Sequence, residues 1–105
     1  MIKFKSKSIA ASNKFPATLL EIEVQRESAI AFPSDLHCLI LPSLSRDRGV
    51  ILSGRLPVWL FVGISESLVG YPWKATLDPR LGGAVVTATA SLDAPDIGDM
   101  VTVPK

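Results

Sequence analysis

The stretch that most constrains this chain runs from Gly49 to Leu68 and reads GVILSGRLPVWLFVGISESL. Val50, Ile51 and Leu52 are apolar without alternation, as strands covered on both faces tend to be. Ser53-Gly54-Arg55 breaks that run, and Pro57 to Val69 predicts a helix, ended by Gly70 and Tyr71-Pro72. Leu60, Phe61, Ile64 and Leu68 keep core spacing on it, whereas Trp59, Val62 and Glu66 mark a second stripe. A helix this apolar is hard to cover with one small chain, so a homodimer built on Trp59 and Val62 is expected. A strand, a glycine-containing turn and a helix start, in that order, also make an anion site. The first helical amides lack partners within the helix, and the aligned peptide dipoles place partial positive charge there. Arg55 adds a full charge and a fork of donors, Ser53 a hydroxyl, and Gly54 room for close backbone approach. The competing reading is an ordinary strand-to-helix connection with a solvated arginine.

Length and charge narrow the rest. The 105 residues are expected to form a single domain, 48% hydrophobic and 20% charged, which is a globular composition. Eleven basic against ten acidic residues leave a net charge of +1, too little to coat nucleic acid, so no duplex DNA partner is expected. Any phosphate must be held at a local site. Cys38 is the only cysteine, which excludes an internal disulfide; within LHCLIL it reads as a buried structural thiol. The basic start MIKFKSKSIAAS has no signal-peptide core behind it, and the longest apolar run, Leu56 to Ile64, is far short of a membrane span. A cytoplasmic protein without a membrane partner is expected.

Residues 1–14 suit an edge strand or a frayed terminus, with Lys3, Lys5 and Lys7 alternating with Ile2 and Phe4. Phe15-Pro16 reads as a turn. Thr18 to Val24 is a half-buried strand, with Leu20, Ile22 and Val24 on one face and Glu21 and Glu23 on the other. Gln25 to Asp35 is a polar connection in which Ser34 or Asp35 can cap a short turn. Leu36 to Leu41 reads as a strand ended by Pro42, and Ser43 to Arg48 as a solvated loop whose two arginines either face a phosphate or simply meet water. Trp73 to Leu77 and Gly83 to Ala90 are strands joined through Gly82-Gly83, and Met100 to Val103 is a short last strand after the loop Asp93 to Asp99.

This order predicts an α/β fold: a small Rossmann-like domain with a mixed β-sheet and one main helix. Ligands of such sheets sit outside the carboxyl ends of the strands, where both SGR and DPRLGG fall. Asp78 and Arg80 lie two apart. An extended Pro79 puts both side chains on one face, the carboxylate free for a divalent metal or a nucleophile and the arginine for a phosphate oxygen. Equally, the pair can do no more than organise the turn. His37, the only histidine, reads as an outward-facing or core-satisfied residue, and one imidazole excludes any site that needs two.

GVILSGRLPVWL, then ATLDPRLGGAVV and GDMVTV, with LLEIEV ahead of them, resemble the Csx-three family of small CRISPR-associated proteins that accompany type III interference systems. The resemblance covers roughly Leu19 to Val103. It implies a Rossmann-like domain related to the CARF sensors of cyclic oligoadenylates. It also implies manganese-dependent cleavage of cyclic tetra-adenylate, which switches off type III signalling, or removal of adenosines from RNA 3′ ends, and dimers stacked around the ligand. Carried over by position, Ser53, Gly54 and Arg55 match the phosphate-holding loop, Asp78 the catalytic or Mn2+-associated aspartate, and Arg80 the arginine beside it. The family pattern has a histidine on either side of the DPR segment; here those regions read ESLVGYPWKAT and VVTATAS, without one. Manganese wants several hard or imidazole ligands. A sensor or sponge that binds the ring without cutting it is therefore the alternative function.

Overall fold

The computed structural model describes residues 1–104. Its six-stranded sheet follows the chain in the order β1-β2-β3-β4-β5-β6: β1 Ile2–Ala11, β2 Phe15–Val24, β3 Gly49–Ser53, β4 Trp73–Asp78, β5 Gly83–Thr89 and β6 Met100–Val101. β2, β3 and β4 are mutually parallel, and antiparallel partners flank them. The main helix, α1, is Val58–Ser67 and connects β3 to β4. This is the α/β domain expected, with the apolar β3 at its centre and β1 as the lysine-bearing edge.

Alternation divides the side chains between two faces. Leu20, Ile22, Val50 and Leu52 face α1 and pack with its Leu60, Ile64 and Leu68. Ile2 and Phe4 of β1 join this cluster, as do Leu39, Leu41 and Leu44 from the β2–β3 crossover. Both crossovers thus cover one face. Each fully buried leucine or isoleucine there contributes about 2 kcal/mol. The carboxyl end of α1 is closed by cations, as its exposed carbonyls and dipole favour. Lys74 Nζ donates to the Ser65 carbonyl (2.6 Å), and the Arg46 guanidinium donates to that of Val69.

The helix-free face is covered only in part. Ile9, Ala11, Ala17, Ile51, Trp73, Ala75, Ala84, Val86 and Val101 are buried there. The lid is the chain's own last segment: it leaves β6 and reaches the β1–β2 turn, where Ser12 N–H donates to the Thr102 carbonyl (2.8 Å) and Thr102 N–H donates to Ser12 Oγ (2.9 Å). That turn lies at the amino end of β2. The opposite corner, where β1 begins and β2 and β3 end, stays open.

Several details differ from expectation. The first turn is at Ser12 and Asn13, whose φ of 52° and 56° suit small polar residues, so Phe15-Pro16 already belongs to β2. Leu36–Leu41 is not a strand. Pro33–Cys38 forms a 3-10 helix, η1, held by Asp35, which accepts from the Phe32 amide (2.8 Å) and pairs with Arg26. Cys38 is consequently exposed rather than buried, and His37 is exposed beside it. Pro57 caps α1 from outside, with φ −65° and ψ 153°, instead of opening its first turn. Arg46 and Arg48 are structural: Arg46 lies over the Tyr71 ring, and Arg48 donates to the carbonyls of Ala17 and Ile9.

Candidate functional site

β3 and β4 pair in parallel through Val50–Lys74, Ile51–Ala75 and Leu52–Thr76, so they end at the same edge of the sheet. Ser53 closes β3 and Asp78 closes β4. The register thereby brings together the two segments singled out from sequence, the Ser53-Gly54-Arg55 turn and the Asp78–Gly83 turn.

The turn after β3 leads into a helix start without a side-chain cap or an acidic residue in the first turn. The Pro57 carbonyl already takes the amides of Leu60 and Phe61. Those of Val58 and Trp59 precede any intrahelical acceptor and remain for solvent or an anion. Arg55 is exposed and has no ion-pair partner among the described residues. Gly54 has a φ of +155°, and a Cβ there would collide with the Ile22 carbonyl of β2. The close approach that requires glycine is therefore to the neighbouring strand.

The turn after β4 is built by its own charges. Asp78 Oδ1 accepts from the Arg80 amide (2.9 Å) and Nε (3.3 Å), while Oδ2 accepts from Arg80 NH2 (3.2 Å). The Asp78 carbonyl takes the amides of Leu81 and Gly82. Pro79 thus sits in a turn rather than an extended segment, and Asp78 and Arg80 meet directly. The guanidinium and amide of Arg80 hold the Asp78 carboxyl below the usual carboxylate range. The pair is worth little to stability, since Arg80 is 89% exposed. It presents one guanidinium edge to solvent at the same rim as Arg55.

A manganese site fits poorly within one chain. Both Asp78 oxygens face Arg80, and no cluster of three or more His, Cys, Asp or Glu side chains occurs among the described residues. No helix of the described residues is long and apolar enough to cross a membrane.

Sequence reasoning missed the cleft beside this rim. Lys3, Lys5, Glu21, Glu23, Ser53 and Gly54, with Ile22, line a cavity of about 270 Å³ on the uncovered corner of the helix-free face. Antiparallel pairing sets Lys3 opposite Glu23 and Lys5 opposite Glu21, and parallel pairing sets Glu21 beside Ser53. The alternating charges were visible in the sequence; the register that carries them to Ser53 was not.

A small α/β domain with two arginine-bearing turns at the carboxyl rim of its parallel strands is the class defined so far. Residues 23–102 match the CRISPR-associated protein family Cas_csx3, and the chain belongs to that family. A protein of Aquifex aeolicus (strain VF5), described as an uncharacterized protein, is 32% identical over 88 residues, spanning 80% of this chain and 76% of its own length.

Proposed function

We propose that this chain binds a cyclic oligoadenylate, cyclic tetra-adenylate in the first instance, at the shared rim of β3 and β4 and degrades it by phosphodiester cleavage, so switching off type III CRISPR signalling. Membership of the CRISPR-associated family supports the setting. The single observation that supports the binding is the parallel register, by which Arg55, unpaired among the described residues, an uncapped helix start and the exposed edge of Arg80 share one rim. Those groups match the non-bridging oxygens of a phosphodiester: a fork of donors for bidentate contact, and amides that need no reorganisation as negative charge builds on those oxygens. Asp78 is the acidic group that closes β4 at this rim. For it to hold Mn2+, the remaining ligands must come from a second copy, and its own oxygens must be released from Arg80. Bound manganese would supply Lewis-acid stabilisation of the phosphoryl oxygens.

A second reading, a sensor or sponge that binds without cutting, is favoured by the closed Asp78–Arg80 pair and by the lack of a ligand cluster among the described residues.

Incubation of the protein with labelled cyclic tetra-adenylate, with and without manganese, tests both. Linear products that require metal support the enzyme, and a stable complex without products supports the sensor. No complex at all overturns both. Arg55→Ala is expected to weaken binding about 10- to 100-fold, the value of one charge-assisted contact. Asp78→Ala is expected to abolish products while leaving the complex.

A further inference from the structure

The cleft beneath Ser53-Gly54 carries two lysines and two glutamates, none of them in an ion pair of 4.0 Å or less; the pairs formed among the described residues are Arg26–Asp35 and Arg80–Asp78. Its charge sums to zero, so it is not a second phosphate pocket. Carboxylates repel phosphate and accept hydrogen bonds, which suits a neutral group rich in N–H donors. A volume of about 270 Å³ has room for one nucleoside unit but not for a whole ring of nucleotides.

We infer that this cleft is a base-reading subsite of the same ligand site: Glu21 and Glu23 accept hydrogen bonds from the exocyclic amine of an adenine whose phosphate lies over Ser53 and Gly54. The inference rests on the binding proposed above and adds the groups that select the base. The geometry follows from pleat and register. Ile2, Phe4 and Ile22 belong to the helix-side core, so Lys3, Lys5, Glu21 and Glu23 stand together on the other face. Glu21 sits beside Ser53 in the β2–β3 register, so a phosphate at the turn and a base at the carboxylate are adjacent units of one nucleotide. Lys3 and Lys5 offset the two carboxylates across the strand pair, which lets acidic residues line an anionic ligand's site without net repulsion. The C-terminal segment covers the far part of this face and leaves the corner accessible.

The test compares cyclic tetra-adenylate with the same ring built from purine riboside, which lacks the 6-amino group. Affinity is measured for the wild-type protein, the double variant Glu21→Ala/Glu23→Ala and Arg55→Ala. The wild type is expected to prefer the adenylate about 10- to 100-fold, the value of a hydrogen bond to a charged group. Glu21→Ala/Glu23→Ala is expected to bind both rings alike, and the purine ring at least as tightly as the wild type does, because two negative charges are gone. Arg55→Ala weakens both rings equally. A double variant that still prefers the adenylate as the wild type does overturns the inference and leaves the proposed function standing. A wild type that binds neither ring overturns both. The double variant's thermal transition separates loss of selectivity from loss of fold.

Discussion

Arg26 and Asp35 show how one ion pair fixes a long connection. Two guanidinium nitrogens meet both Asp35 oxygens, Asp35 also takes the Phe32 amide, and Arg26 lies over the Phe32 ring. The hydrogen bonds from Arg26, then that from Phe32, hold the Asp35 carboxyl far below the usual carboxylate range. A depressed carboxylate stabilises the fold above its unfolded value, about 4, and that contribution is lost as pH falls through the folded value. Asp35→Asn is therefore expected to lower the melting temperature by several degrees at pH 7, and the gap to the wild type should narrow at pH 3. Thermal melts at the two pH values check it. This clamp is also why the sequence misled over residues 36–41. LHCLIL has the composition of a strand, but the tether at Asp35 winds Pro33–Cys38, the first half of that run included, into η1. Residues three apart on such a turn share a side. Cys38 therefore lines the same surface hollow as Asp35 and Arg26 instead of entering the core.

At the scale of elements, the strands were largely legible because their signals are local. Leu20, Ile22 and Val24 alternate with Glu21 and Glu23, and Val50 to Leu52 are apolar throughout; each pattern states how many faces are covered. The candidate site was half legible for the same reason. SGR and DPR announce themselves within a few residues, whereas Lys3 and Lys5 become part of the site only through a pairing some twenty residues away. Helix α1 keeps the two stripes that its sequence predicts. Leu60 and Ile64 are fully buried, while Val62 is 57% and Trp59 37% exposed. The association proposed for the chain belongs to that outer stripe. Val62→Asp is expected to convert a dimer to a monomer in sedimentation, with the thermal transition of the monomer retained, since Val62 contributes nothing to the core.

Across the whole molecule, strand register does most of the positioning: the parallel strands deliver both turns to one rim, and the antiparallel β1–β2 pair sets its lysines and glutamates beside them. The C-terminal tie between Thr102 and Ser12 has a consequence for how the domain can be joined to others. β1 is ten residues long, so its two ends lie about 30 Å apart. Met1 accepts from the Gln25 amide at the rim, while Thr102 is bound at the far end of β1. A bulky partner fused ahead of residue 1 emerges beside the cleft lined by Lys3 and Lys5 and is expected to weaken ligand binding in a titration against the unfused chain. At the other terminus, Val101 pairs with Ala84, next to the Gly83 that pairs with Asp78, and Thr102 then bonds to Ser12. The sheet therefore curls until its last strand meets the far end of its first, so that the turn after β4 and the turn after β1 are held together by one short segment.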